Sequence, residues 1–253
     1  MGKPYQLIVE ESVQKSDVIL LVLDSRFSFE TRNDYLEELV SSYNRELIYV
    51  INKCDLVPIE YMDKVKYELH KATNRNVIFV SSTKRFGSKF LRVELSKTLK
   101  RLKRNELVVS VIGYPNVGKS SVINLLKGKH VAKASLQSGF TKSSQLVRIS
   151  KKIFLIDTPG ILDTDDEVLL GLINAINADK IKEPLTVAKK IFDIAKKSLL
   201  EYYAIDNNIS DFDVLLKSVA KKFNKVLKGN LFDLDFAARR IIKDWQIGNI
   251  TIR

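Results

Sequence analysis

From Asp17 to Ile161, short apolar and β-branched runs alternate with amphipathic stretches, which is the pattern of repeated strand–helix units. Six runs read as strands: DVILLVLD, ELIYVIN, NVIFVSS, LVVSVIG, QLVRIS and KIFLIDTPG. Four of them are nearly continuous in apolar residues, as strands covered by helices on both faces are, and this predicts an α/β fold with a mostly parallel sheet. QLVRIS and KIFLID are joined by too few residues for a parallel crossover, so they are expected to form one antiparallel hairpin at an edge. After about Ile181 the period turns helical in three segments, LTVAKKIFDIAKKSLLEYY, DVLLKSVAKKFNKVLKG and LDFAARRIIKDWQIG. The expected organisation is therefore a sheet domain over residues 1–180 and a small all-α domain over 181–253. Pro184 suits the first turn of the first of these helices, and Gly229 a C-terminal cap after the second.

Composition narrows the class. The 253 residues can hold one large core and a small second one. No stretch approaches the ~20 apolar residues that span a bilayer, the first ten residues lack a signal-peptide pattern, and a single cysteine, Cys54, excludes an internal disulfide framework. A cytoplasmic protein with no membrane partner is expected. The formal charge of +12 favours a polyanionic partner, with RNA foremost, and it is spread over both parts, +7 in residues 1–180 and +5 in 181–253.

The chemistry is carried by four motifs. GYPNVGKS, residues 113–120, lies between the strand LVVSVIG and an amphipathic stretch and satisfies G-x-x-x-x-G-K-[ST]. Backbone N–H groups around Asn116, Val117, Gly118 and Ser121 are expected to point at phosphate oxygens, with Lys119 on the β and γ phosphates and the Ser120 hydroxyl on Mg²⁺. DTPG ends the strand KIFLID, where Asp157 can hold Mg²⁺ through water and the Gly160 N–H can sense a γ-phosphate. Between them, Thr141 in GFTKSS is assigned to close on Mg²⁺ when the γ-phosphate is present, with Ser138 and Ser143 as rivals. NKCD follows the strand ELIYVI: the Asp55 carboxylate can accept the guanine N1–H and N2 amine, a donor pair that adenine lacks. Asn52 would tie this loop to the phosphate loop, and Lys53 would lay its stem along the base. Ser81 and Ser82 end the next strand, with the Ser82 amide meeting guanine O6; an ordinary polar strand end is the alternative.

The ligand these residues predict is GTP or GDP with Mg²⁺. Ordinary GTP-binding domains place the phosphate loop first and the guanine-reading motif last, whereas here the order is rotated. The order NKCD, SST, GYPNVGKS, Thr141, DTPG resembles the circularly permuted GTPases of the YlqF/YawG family, over nearly the whole chain. The opening VILLVLDSR and the closing FAARRIIKDWQIGNI are also similar to that family's.

The resemblance implies a circularly permuted P-loop GTPase, monomeric, that hydrolyses GTP while maturing the large ribosomal subunit or its precursor and contacting rRNA. A K⁺-dependent GTPase subunit of an RNA-modification system, and an RNA-binding module that GTP only stabilises, are the alternatives. Lys119, Thr141 and Gly160 are the expected catalytic groups. Ile161 occupies the position after DTPG where Ras-like enzymes carry a water-orienting Gln, and the family likewise has a hydrophobic residue there. Asn116 matches a residue that helps hold K⁺ in potassium-activated relatives; a loop-shaping role is the alternative. The His that some members carry near the N-terminus is absent from MGKPYQLIVEES. His70 and His130 are expected at the surface, and Cys54 as a filler.

The join that permutation requires falls at residues 87–106. It is expected to be a helix whose cations, Lys97, Lys100, Arg101, Lys103 and Arg104, form a solvated face or an RNA-phosphate contact. In the tail, Arg239 and Lys243 share a helix face next to Trp245, which is read as a core anchor with RNA stacking as the alternative. Loss of the γ-phosphate is expected to shift the helix near 168–178 and the C-terminal domain with it.

Overall fold

A computed structural model describes residues 3–127, 146–162, 164–206 and 208–252. The described residues gather into two units, one of residues 1–55 and 59–163, the other of 56–58 and 164–253.

In the first unit the strands are β1 (Val18–Asp24), β2 (Glu46–Asn52), β3 (Asn76–Phe79), β4 (Leu107–Ile112), β5 (Leu146–Arg148) and β6 (Ile153–Asp157), in the order β3-β2-β1-β4-β6-β5. All neighbours are parallel except β5, which pairs antiparallel with β6 at the edge, as the short QLVRIS–KIFLID connection demands. Every residue of VILLVLD in β1 is buried, because helices cover both faces of a doubly wound sheet. Those helices are α1 (Lys3–Gln14), α2 (Asp34–Ser42), α3 (Ile59–Thr73), α4 (Ser88–Arg101) and α5 (Lys119–Lys127).

Parallel strands point their carboxyl ends at one edge, where open α/β sheets bind ligands. Register puts Asp24 of β1 beside Asn52 of β2 and Val111 of β4 beside Asp157 of β6, so loops far apart and rotated in sequence open on the same edge.

The hydrophobic pattern leaves α1 unmarked. Val9 and Val13 are buried, while Tyr5 and Leu7 are exposed. The helix is instead hooked to β4 by hydroxyls: Ser16 Oγ lies 2.7 Å from Ser110 Oγ, and Ser110 donates to the Ser12 carbonyl at 3.0 Å. In a sequence, buried serines satisfied in this way are indistinguishable from serines that face water.

The second unit contains α6 (Glu167–Leu172), α7 (Pro184–Tyr203), α8 (Phe212–Lys222) and α9 (Leu234–Gln246). Pro184 opens α7 at the position its fixed φ suits. Gly229 does not cap α8. That helix ends seven residues earlier, where Asn224 takes the left-handed conformation at φ +54°, and Gly229 lies in the turn between the bridge partners Val226 and Phe232.

Trp245 is fully buried and its indole N–H donates to the Leu172 carbonyl at 2.8 Å, so it anchors the core and is not available for stacking on RNA. Arg239 is spent internally, on Asp235 and on the Ala178 and Ile181 carbonyls. The buried Asp244 collects Arg240, Tyr202, Tyr203 and Asn249. The tail's cations therefore mostly tie the second unit together.

Candidate functional site

The site grows from the carboxyl end of β4. Leaving the strand, the chain turns through Gly113 at φ +140°, Asn116 at φ +58° and Gly118 at φ +100°, conformations an L side chain rarely adopts. A Cβ on Gly113 would lie 2.4 Å from the Val22 carbonyl oxygen, and one on Gly118 2.2 Å from Asn52 Nδ2, so both positions demand glycine. The turn feeds the first residues of α5, whose unpaired backbone N–H groups and positive dipole end make an anion cradle. Ser120 and Ser121 are exposed in this first turn and Val117 is buried beneath it. Asn116 is exposed at the tip, where its left-handed φ gives weight to loop shaping.

Lys119 is buried beneath the turn, its ammonium donating to the Gly113 and Tyr114 carbonyls at 3.2 and 2.8 Å. Burial lowers its pKa to about 8, against the opposing pull of the Asp157 carboxylate. Carbonyls are weak partners for a buried cation, and an anion in the cradle would improve its surroundings.

At the end of β6, Asp157 Oδ2 accepts the Ser120 hydroxyl at 3.0 Å, while its buried Oδ1 has no hydrogen-bond partner among the described residues. A hydroxyl and a carboxylate with a spare oxygen are hard donors suited to Mg²⁺, which typically takes one or two protein oxygens and completes its shell with water and substrate phosphates. Among the described residues no cluster of three or more His, Cys, Asp or Glu exists to hold a metal alone. The residues therefore fit a cation that arrives with a phosphate ligand. Thr141, with its rivals Ser138 and Ser143, lies outside the described residues, as does His130.

The DTPG turn is locked against the end of β4 and the phosphate loop that follows it. The Thr158 hydroxyl donates to the Val111 carbonyl at 2.7 Å and the Ile161 amide to the Gly113 carbonyl at 3.3 Å. A Cβ on Gly160 would fall 2.6 Å from the Pro115 nitrogen. Ile161 is itself buried in the core of the sheet, so its side chain cannot serve a water molecule at the site.

NKCD closes the other side. Asn52 is the junction: its amide nitrogen donates to the Val117 carbonyl at 2.9 Å across a sequence gap of 65, and its oxygen accepts the Ser82 hydroxyl at 3.0 Å. The Ser82 amide, assigned from sequence to guanine O6, is also aimed at that oxygen, at 3.3 Å. Ser81 is buried and braces the turn through Phe86 and Lys84. Asp55 is exposed at the loop's end. Cys54 is buried beside it as a filler, and burial pushes its thiol up to about 11. His70 is exposed on α3.

Sequence reasoning overlooked Asp24, Ser25 and Arg26. Asp24 ends β1 fully buried, held by Arg26 at 2.9 Å and by Lys53 Nζ at 2.7 Å, and the Ser25 hydroxyl donates to the Lys53 carbonyl at 2.7 Å. Burial alone would raise this carboxyl, but the two cations prevail and hold it well below the usual range. Lys53, at φ +61°, is thus pinned at both ends, and burial lowers its pKa against the pull of Asp24. The available signal was an acidic residue closing an all-apolar strand with an Arg two positions on.

Comparison with known proteins finds GTPases. Residues 8–166 match the model of the RsgA GTPase family, and residues 108–226 that of the 50S ribosome-binding GTPases. An uncharacterized GTP-binding protein of Methanocaldococcus jannaschii is 39% identical over 98% of this chain. The chain belongs to the circularly permuted GTPases of the YlqF/YawG family.

Nuclear/nucleolar GTPase 2 of Arabidopsis thaliana is 35% identical over 94% of the chain. The crystal structure of GNP-bound YlqF from T. maritima has the same fold, with a TM-score of 0.66 at 23% identity, covering 100% of this chain and 98% of that one. The chain spans 66% of the archaeal relative and 42% of the plant one. Among the described residues no helix is long and apolar enough to cross a membrane.

Proposed function

We propose that this chain binds GTP and hydrolyses it to GDP, and that the cycle serves assembly of the large ribosomal subunit. The observation that carries the nucleotide reading is the Asn52 bridge, which joins a loop able to read guanine to a loop able to hold phosphates at the distance of one side chain. In this reading the purine rests on the stem of Lys53, with Asp55 accepting its N1–H and N2 amine. The phosphates lie on the amides of 116–121 with Lys119 neutralising the β and γ groups, and the Gly160 amide senses the γ-phosphate. Ser120 and Asp157 would hold Mg²⁺, which supplies positive charge against the triphosphate.

With Ile161 buried, the chain has no water-orienting side chain at that position, so turnover alone is expected to be slow, on the order of 10⁻⁴ to 10⁻³ per second as for bare small GTPases. An activator would add several decades. K⁺ beside Asn116 and the large subunit or its rRNA are the candidates, supported by the family's 50S ribosome-binding description and by the +12 charge.

The test is a turnover assay with and without large subunits and KCl, paired with co-sedimentation on pre-ribosomal particles. Acceleration and co-sedimentation are expected. The absence of both acceleration and co-sedimentation would overturn the assembly reading.

A further inference from the structure

The first unit exposes an aromatic and basic face that the nucleotide site does not use. β3 is the end strand of the sheet, and beside it a depression of about 790 Å³ is lined by Lys66, Phe79, Phe86, Lys89, Phe90 and Lys97. Phe86 and Phe90 are 50% and 62% exposed, with ring centroids 6.3 Å apart at 62°. Two neighbouring phenylalanines left in water forgo the gain that burial would bring, and such a patch marks an interaction surface more often than a core defect.

α4 supplies the charge. Leu91, Leu95 and Thr98 face inward, while Lys89, Val93, Lys97 and Lys100 are exposed. At about 1.5 Å per residue the lysine row runs ~16 Å. It continues into an adjoining depression lined by Lys89, Arg92, Lys97 and Lys100. Among the described residues Lys66, Lys89, Lys97 and Lys100 form no ion pair, whereas Arg101 and Arg104 of the same basic run are spent on Glu46 and Asp17. Among the described residues the one carboxylate on the rim, Glu94, accepts the Asn76 amide at 2.8 Å.

We infer that this face binds single-stranded RNA, with Phe86 and Phe90 stacking on unpaired bases and Lys66, Lys89, Lys97 and Lys100 meeting the phosphates. The inference rests on the proposed role on ribosomal RNA and gives that role an address on the first unit. Exposed rings interleaved with unpaired cations are the recognition chemistry of single strands, since duplex bases are already stacked. An acidic peptide adding to the sheet edge is the weaker occupant, because β3 offers only the four residues 76–79 as a backbone template.

The experiment measures anisotropy of a fluorescein-labelled adenosine dodecamer RNA with the full chain over a series of KCl concentrations. The double variant Phe86→Ala, Phe90→Ala is expected to weaken binding about tenfold or more, with the slope of log K against log[KCl] unchanged. The double variant Lys89→Ala, Lys97→Ala is expected to flatten that slope by about 1.4, roughly 0.7 for each phosphate that is no longer neutralised. Both variants should keep wild-type GDP affinity.

Wild-type RNA affinity and slope in both variants would overturn the inference. So would an effect of the substitutions confined to a labelled poly-glutamate dodecamer. If the aromatic variant binds RNA like the wild type yet still co-sediments with pre-ribosomal particles, this surface falls and the assembly reading stands. A wild-type chain that binds neither RNA nor particles takes both down.

Discussion

At the scale of single residues, Asp24 illustrates how a buried charge can serve a binding loop. It is fully enclosed and paired with Arg26 and Lys53, so Asp24→Asn leaves two cations facing a neutral amide; breaking a buried pair in this way costs about 3–5 kcal/mol. Because the carboxyl sits below its ordinary value in the folded state, its contribution is complete above about pH 4, the unfolded carboxyl's range, and is lost as pH falls below that. Thermal midpoints measured from pH 6 to pH 3 should therefore fall more steeply in the wild type than in the variant.

Asp55 makes a different prediction, since it is exposed. Asp55→Asn should leave the melting temperature within the small range typical of surface changes while exchanging guanine for xanthine preference, read by competition between GDP and XDP. These two residues also show what a sequence can disclose. Asp55 lies in a motif whose spacing carries its chemistry, whereas the tie of Asp24 to Lys53, 29 residues later in the chain, exists only once strand pairing brings the two near.

Among the elements, the strands were legible because continuous apolar runs of β-branched residues have few other fates, and the antiparallel edge followed from a connection too short to cross over. α1 escaped because only Val9 and Val13 mark its inner face and serine hydroxyls make the remaining contacts. Gly229 misled because Asn224 reaches the left-handed conformation first.

The loops at the strand ends carry the sharpest element-level prediction. In Gly160→Ala the new methyl group meets Pro115 backbone at 2.6 Å and the turn after β6 must move. GTP turnover should drop more than tenfold while GDP affinity changes less, as measured by single-turnover hydrolysis and GDP titration. In the second unit, Trp245→Ala empties the space around the α9 anchor and strands the Leu172 carbonyl. A loss of about 3–5 kcal/mol is expected in urea unfolding followed by circular dichroism.

At the scale of the molecule, rotation of the chain order leaves the sheet as it was and changes what is attached to it. In the rotated order DTPG is the last of the motifs, ending at Gly160, and the second unit follows it in the chain from residue 164. The motif order rotates without loss because parallel strands deliver every loop to the same edge, so the binding edge is indifferent to where the chain begins. The central claim is that a guanine-reading loop and a phosphate loop, joined through Asn52, form one nucleotide site. Isothermal titration calorimetry of the full chain with GDP and with ADP, in Mg²⁺, tests it most directly. Saturable heat with GDP and none with ADP at the same concentrations is the predicted result; equal heats for the two nucleotides, or none for either, would contradict it.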